Sequence, residues 1–406
     1  MKEIAGGVCA PGGFRAGGIW CGIKVGSRKR DLGLIYSDRP CTAAAMFTTN
    51  RVKAASVLVT REHVAGGVLR AVIANSGNAN ACTGEAGMAA ARRMAELAAG
   101  EFAISPREVA VASTGVIGVP LPIAAIENSI EALANSLSGD GAGHGAALEA
   151  IMTTDTRKKD GALEMEIGGR PVRIGGMAKG SGMIHPSMAT MLCFITTDAA
   201  VSRELLNRAL RSAVARSFNR LTVDGDTSTN DTVILMASGA AGNPPINAPG
   251  PDYAVFAEAL EALCVKLARA MARDGEGATK LVTVRLTGAP DEEAAAVLAK
   301  SVASSSLVKA ACFGADANWG RILCAMGYAG VDFEPGEAEV SFSGAAGEIL
   351  VYRGAPVEFS EEKARNILSG EEIEIRIRAG SGPGSAVVWG CDLSYDYVKI
   401  NGDYRS

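Results

Sequence analysis

The feature that most constrains this chain is a threonine, Thr190, placed where a glycine-containing loop runs into an apolar strand. Gly180 and Gly182 belong to the loop, and the apolar run at 191–195 predicts a short buried strand. A threonine hydroxyl is a weak nucleophile unless a base removes its proton. A cut between Ala189 and Thr190 would supply that base, because the new α-amine has a pKa of about 7.7–8.0. The plainer alternative is a loop that precedes a core strand, which is the usual meaning of an arbitrary Ala-Thr pair.

Composition excludes several classes of function. The 406 residues are 48% hydrophobic and 21% charged, which is typical of a soluble globular protein with two or three domains. A net charge of −4 provides no general attraction for nucleic acid or an anionic membrane. Nine cysteines without a C-x-x-C pair argue against a disulfide framework or a zinc knuckle, and they predict a reduced, cytoplasmic location.

Two segments that resemble targeting or membrane sequences are rejected. The first residues lack the apolar core of a signal peptide. The longest uncharged run, 109–126, contains two glycines and two prolines, which would break a helix exposed to lipid.

Hydrophobic periodicity predicts an α+β fold of layered sheets and helices. Gly168 and Gly169 predict a two-residue hairpin loop. Ser202 and Ser360 are predicted helix N-caps, and residues 243–251, with four prolines, predict a loop. Strands are predicted at 109–113, 163–167, 171–174, 191–195, 232–236, 282–286 and 373–377, and further helices at 84–99 and 256–271.

Residues 179–192 resemble the self-cleavage signature of the ornithine acetyltransferase family, the glutamate N-acetyltransferases of arginine biosynthesis. Blocks similar to those of this family run in order through the whole chain, at 8–14, 47–50, 75–80, 113–118, 153–156, 222–231, 314–321 and 401–406. The resemblance implies stacked β-sheets flanked by helices, as in N-terminal-nucleophile enzymes. It also implies cleavage into an α chain, 1–189, and a β chain, 190–406, assembled as a heterotetramer of two α and two β chains.

The catalytic base is assigned from the small number of histidines, and the oxyanion donors are assigned from the family resemblance. Only three histidines are present: His63 and His144 look solvated in a charged stretch and a glycine-rich loop, and His185 is a loop residue near Thr190. This scarcity favours the α-amine as the base. Taken alone, Thr114 and Gly115 indicate a tight glycine turn after a strand. The family resemblance implies that they are the oxyanion donors.

The resemblance also assigns the substrate contacts. Lys179 is expected to hold a carboxylate and Glu276 an ammonium group, although a surface lysine and a solvated carboxylate are the ordinary alternatives. The complete set of expected contacts is Thr156, Lys179, Thr190, Glu276, Asn401 and Ser406. The alternation of Val398 and Ile400 predicts a final strand, with the tip of the chain folded over the active site.

No metal and no cofactor are predicted. The acidic segment 224–231 lacks the glycine and glutamate that a calcium loop needs, so it is interpreted as a turn of Asx and threonine side chains. The glycine-rich segment 139–145 lacks the Lys-Ser/Thr pair of a phosphate loop.

The resemblance thus implies an acetyltransferase that moves the acetyl group of N-acetylornithine to glutamate through an ester on Thr190. Three alternatives stay open. They are an amidase or aminopeptidase that uses the same threonine with water, a synthase that uses only acetyl-CoA, and an uncleaved binding or structural protein. Use of acetyl-CoA as a second donor is not decided by the sequence.

Overall fold

The computed structural model describes residues 1–185 and 191–403, and within them the chain forms two β-sheets with helices packed against both. Ala189, Thr190 and Ser406 lie outside the described residues. The predicted α+β arrangement of sheets flanked by helices is confirmed.

The larger sheet has nine strands, which are all the strands that the structure describes in the first 240 residues. Its order is β1-β6-β7-β8-β9-β3-β4-β5, with β2 paired to β3. The strands are β1 Lys2–Ile4, β2 Phe14–Ile19, β3 Leu32–Phe47, β4 Val68–Asn78, β5 Val109–Val116, β6 Lys159–Ile167, β7 Arg170–Lys179, β8 Leu192–Thr197 and β9 Thr232–Ala237.

The centre of this sheet brackets the Thr190 segment. β7 runs antiparallel to β8, with Lys179 opposite Leu192, and β8 runs parallel to β9. β3 then pairs antiparallel with β9. The two strands that follow the predicted cut, β8 and β9, therefore lie between strands that precede it, within one hydrogen-bonded sheet.

Helices cover this sheet through apolar stripes. They are α1 Ala55–Val64, α2 Gly84–Glu101, α3 Ile123–Glu127, α4 Ile130–Asn135, α5 Gly141–Ile151, α6 Arg203–Arg216 and α7 Pro251–Arg273. Phe256, Leu260, Leu263 and Leu267 lie on one face of α7 and are buried with side chains of α6 and the sheet. The four-, three- and four-residue spacing of these side chains is the reason that the helix buries a continuous stripe.

A smaller, five-stranded sheet follows in the order β12-β11-β13-β10-β14. Its strands are β10 Leu281–Ala289, β11 Glu339–Gly344, β12 Gly347–Arg353, β13 Glu372–Arg378 and β14 Gly384–Cys391. The remaining helices are α8 Glu292–Ser304, α9 Ser306–Phe313, α10 Trp319–Gly327, α11 Glu361–Leu368 and α12 Tyr395–Asp403. A separate core forms where α8 packs on this sheet.

Most predicted elements are confirmed, together with their local signals. Gly168 and Gly169 connect β6 to β7 with positive φ angles of 55° and 73°, as the predicted hairpin requires. The side chains of Ser202 and Ser360 cap α6 and α11. The proline-rich loop ends one residue earlier than predicted, because Pro251 opens α7.

Two local predictions are wrong. The glycine-rich segment after Asp140 is the first turn of α5, since the Asp140 carboxylate accepts the N–H groups of Ala142 and Gly143 as an N-cap. The end of the chain around Val398 and Ile400 is helix α12 and not a strand. Two apolar residues two positions apart fit a helix as well as a strand when no neighbouring strand is available to pair.

Among the described residues, no single helix is long and apolar enough to cross a membrane. Helices α8 and α9 reach that length and composition only when they are taken together, and a 59° bend separates them.

Candidate active site

Five predicted residues from distant parts of the chain meet at one cavity. Thr114 and Gly115 come from the end of β5, and Lys179 from the end of β7. Glu276 follows α7, and Asn401 lies on α12. Strand direction does not explain this meeting, because the pairings make β5 and β7 antiparallel; the long Lys179 side chain makes the contact, with its Nζ 3.4 Å from Thr114 Oγ1.

Gly115 occupies a position that no other residue fits. Its φ is 136°, and a Cβ there would lie 2.3 Å from the carbonyl carbon of Gly77 on the neighbouring strand. The pairing of β4 with β5 is irregular at Gly77 and Asn78. A glycine is therefore needed for the close backbone approach at the edge of the cavity.

Lys179 is a buried cation and not a surface lysine. Its side chain is 4% exposed, and its Nζ lies 3.4 Å from the Thr114 Oγ1 and 4.0 Å from the Asp155 carboxylate. Burial lowers the pKa of Lys179, and the charge of Asp155 opposes that shift. The lysine donates to Thr114, which leaves the Thr114 hydroxyl proton available to another acceptor.

Behind Lys179 lies a buried network of charges. Lys159 bridges Asp155 at 2.5 Å and Asp274 at 2.6 Å, and all three side chains are almost fully buried. Burial raises the pKa of Asp155, but Lys179 and Lys159 outweigh that effect and bring it down to about 2. Asp155 also accepts the Gly180 N–H at 2.7 Å, so this carboxylate fixes the chain just after Lys179.

Thr156 belongs to this network and not to the cavity that contains the other five residues. Its hydroxyl and its N–H both donate to the Asp274 carboxylate. The side chains from this segment that line the active-site cavity are those of Thr153 and Thr154. Thr154 Oγ1 forms a 2.8 Å hydrogen bond with Ser181 Oγ.

Glu276 and Asn401 form a second polar pair at the cavity. Asn401 Nδ2 donates to Glu276 Oε2 at 2.9 Å and to the Tyr397 carbonyl at 3.1 Å. Glu276 lies directly against Gly182, where an added Cβ would be 2.3 Å from Oε2. The glycine in the loop before Thr190 thus provides the room that the Glu276 carboxylate occupies.

The segment 222–231 binds the backbone of described residues on both flanks of the predicted cut. The Asp224 carboxylate accepts the N–H groups of Met183 and Ile184, at 2.5 and 2.8 Å. Asp231 Oδ1 accepts the Met191 N–H at 2.9 Å, and burial raises the pKa of this carboxyl well above its ordinary value. The predicted Asx turns are present, since Asp226 N–H donates to Asp224, yet the segment also anchors the chain on both sides of the predicted cut.

The expectation that His63 and His144 are solvated is wrong, because both are buried. His63 Nδ1 lies 2.7 Å from the Val109 carbonyl, 46 residues away. His144 Nε2 lies 2.9 Å from Asp160, and its Nδ1 accepts the Val8 N–H. His185 is half-buried beside Thr222. None of the three lines the cavity described above.

Sequence reasoning missed several residues that line the cavity. Ser228, Thr229 and Asn230 all belong to the 222–231 block, and Asn230 Nδ2 donates to the Ser113 carbonyl at 2.7 Å. The clustering of small polar residues in that block was the available signal. A bond across 117 residues, however, is not visible in local spacing.

The chain is similar to one protein family along nearly its whole length. A family model described as the ArgJ family matches residues 15–406. A protein of Symbiobacterium thermophilum named "Arginine biosynthesis bifunctional protein ArgJ" is 53% identical over 100% of both chains. A Bacillus subtilis protein of the same name is 47% identical over 100% of this chain and 98% of its own.

A solved structure is also similar. A crystal structure of the arginine biosynthesis bifunctional protein argJ from Bacillus halodurans matches with a TM-score of 0.50 and 45% identity. The match covers 52% of this chain and 98% of the solved chain.

Proposed function

Because the chain belongs to the ArgJ family, we propose that it is an acetyltransferase of arginine biosynthesis that moves the acetyl group of N-acetylornithine to glutamate. The observation that carries the proposal is the cavity that Thr114, Gly115, the buried Lys179 ammonium and the Glu276 carboxylate line together. The relatives' printed name contains the word "bifunctional", which supports a second activity. The second activity in this proposal is acetylation of glutamate by acetyl-CoA.

The proposed nucleophile is Thr190, exposed by self-cleavage after Ala189. The anchoring of Met183, Ile184 and Met191 by the Asp224 and Asp231 carboxylates supports this role, since the flanks of the bond are held while the bond itself reacts. The Bacillus halodurans chain adds support. It matches only 52% of this chain over nearly its full length, as expected of one fragment of a cut precursor.

Thr114 and Gly115 are the proposed oxyanion donors. The Lys179 ammonium donates to the Thr114 oxygen and so directs the hydroxyl proton away from itself. The Gly115 backbone can approach a ligand closely because no Cβ intervenes. Donors that are already fixed in place stabilise a developing oxyanion without reorganising during the reaction.

The two ends of the substrate fit the two charges of the cavity. N-acetylornithine carries an α-carboxylate, which suits the buried Lys179 ammonium, and a δ-ammonium, which suits the Glu276 carboxylate. Asn401 holds that carboxylate in position through its 2.9 Å hydrogen bond. Thr156, through its bonds to Asp274, supports the Lys179 site from behind.

The reaction then proceeds in two balanced transfers. The Thr190 α-amine takes the hydroxyl proton as the oxygen attacks the acetyl carbon, and the C–N bond breaks with that proton passing to the ornithine nitrogen. The glutamate amine next attacks the ester carbon, the C–O bond breaks, and a proton from that amine passes through the Thr190 α-amine to the Thr190 oxygen. The acetyl group waits on the enzyme between the two steps, so the kinetics are ping-pong.

A trapping experiment tests this function. The purified protein is incubated with N-acetylornithine alone, quenched in acid, and its fragments are weighed. One acetyl group on the fragment that begins at Thr190, removed on addition of glutamate, is the expected result. An unmodified fragment with intersecting double-reciprocal lines would contradict it, and turnover without glutamate would instead identify an amidase that uses water.

Replacing Asn401 by alanine should weaken substrate binding without preventing self-cleavage. The lost bond is exposed and orients Glu276, so about 0.5–1.5 kcal/mol of substrate binding depends on it and KM for N-acetylornithine should rise about 2- to 10-fold. Lys399→Ala is the matched control, because Lys399 is exposed on the same helix and is not among the described residues that line the cavity. Unchanged KM values in Asn401→Ala would remove this residue from the substrate site.

A further inference from the structure

A loop beside the active-site cavity is built around one buried carboxylate. Asp31 is fully buried, and its two oxygens accept the N–H groups of Cys21, Gly22 and Lys24 at 2.7, 3.1 and 3.0 Å. Lys24 Nζ closes the loop from the other side by donating to the carbonyls of Arg30 and Met152, both at 2.8 Å. Residues 20–31 therefore form a fixed support despite having no regular secondary structure.

This loop presents an aromatic ring and a cation stacked together. The Arg28 guanidinium lies over the Trp20 indole, 4.3 Å from the ring centroid, and Trp20 remains 41% exposed. The indole N–H is satisfied by the Ser27 carbonyl at 2.8 Å. A flat heterocyclic base can stack on such a surface, because both the indole and the guanidinium offer a planar face.

The loop borders a cavity of about 1070 Å³ with an excess of positive charge. Five cations line it, two of which, Arg30 and Lys158, are ion-paired with Glu149. Arg28 and Lys29 have no carboxylate partner among the described residues. In a chain of net charge −4, this local excess of cations is suited to an anion from outside the protein.

The basic cavity and the active-site cavity share a wall. Thr153 and Thr154 line both of them. Asp155, which lies 4.0 Å from Lys179, also lines the basic cavity. The two cavities are therefore neighbours on either side of the Thr153–Thr154 segment, and a ligand that extends past this segment from Arg28 and Lys29 would approach the active-site cavity.

We propose that the cleft formed by Trp20, Arg28, Lys29 and Lys158 binds the phosphorylated nucleotide end of an acyl thioester, the chemistry of acetyl-CoA. This inference rests on the proposed function, in which the cleft is the binding site of the second acyl donor. In the transfer, the Thr190 oxygen forms the new ester bond while the C–S bond breaks. The hydroxyl proton passes through the α-amine to the departing thiolate. N-acetylornithine carries no phosphate and does not need the cleft.

Charge reversal at the two unpaired cations tests the site. The double variant Arg28→Glu with Lys29→Glu should bind coenzyme A at least about tenfold more weakly, measured by calorimetry, because two charge-assisted phosphate contacts are lost. KM for acetyl-CoA should rise by a similar factor. The rate of acetyl transfer from N-acetylornithine should stay the same. The matched control is Lys363→Glu with Arg365→Glu, which reverses two exposed cations of α11 and should change neither reaction.

The outcomes separate this inference from the proposed function. Equal coenzyme A affinity in the double variant and the wild type would overturn the cleft, and so would an equal loss of both acetyl transfers. Inorganic pyrophosphate that binds as tightly as coenzyme A would assign the cleft to free phosphates and overturn its role for a thioester. If coenzyme A binding depends on Arg28 and Lys29 while no acetyl-Thr190 forms from either donor, the cleft stands and the proposed function fails.

Discussion

Replacing Thr190 by alanine is expected to leave the chain in one piece and to abolish acetyl transfer. The proposed mechanism uses the same hydroxyl for both reactions, and removal of a covalent nucleophile costs on the order of 10⁴-fold or more in kcat. Intact-mass measurement of the purified variant checks the first effect, and glutamate-dependent release of ornithine checks the second.

Thr190→Ser is the control for this prediction. It keeps an oxygen nucleophile, so it should cleave, more slowly than the wild type, and retain measurable transfer. An alanine variant that is still split between positions 189 and 190 would show that another group cuts the chain. An alanine variant that remains whole yet transfers acetyl groups would show that the acetyl group is not carried by this side chain.

Replacing Thr114 by alanine should produce the second largest effect, a decrease in kcat of about 10²- to 10³-fold with little change in KM. In the proposed mechanism the Thr114 hydroxyl donates to the oxyanion of the transition state, whereas Lys179 and Glu276 bind the charged ends of the substrate. The variant should be assayed per cleaved molecule, since the same donors can assist self-cleavage.

Thr229→Ala provides the comparison for Thr114. Thr229 lines the same cavity, but its hydroxyl donates to the side chain of Asn230. A similar loss in both variants would indicate general damage to the cavity, and a higher KM with unchanged kcat in Thr114→Ala would move that threonine to substrate binding.

Much of the fold was predictable because its signals are local. Gly168 and Gly169 fix a hairpin by their own conformational freedom, and Ser202 starts a helix by bonding to a residue three positions away. The spacing of the apolar residues along α7 likewise predicts the buried face of this helix without any information about its partners.

The rest depends on contacts between distant residues. His63 and His144 are buried because of the Val109 carbonyl and Asp160, and nothing in their own stretches reveals those partners. The same holds for the last helix, where the alternation of Val398 and Ile400 was too short to exclude α12.

The residues of the active site were found through family blocks, and their roles remain predictions. Their assembly could not have been deduced from spacing, since β5, β7 and α12 bring Thr114, Lys179 and Asn401 together from across the chain. Lys179 is the clearest example of a residue whose environment its local sequence does not predict. By itself it resembles any surface lysine, and its burial depends on Asp155 and on the network around Lys159.

The arrangement of the larger sheet has a consequence for how such a protein can be made. Strands β3 and β7 precede the proposed cut and β8 and β9 follow it, yet the four are neighbours in the order β7-β8-β9-β3. Either half synthesised alone would expose the unpaired edges of central apolar strands, which invite aggregation. Translation as one polypeptide keeps the halves at equal stoichiometry and lets the strands interleave before the bond is lost. The finished protein would then consist of two chains that never had to find one another.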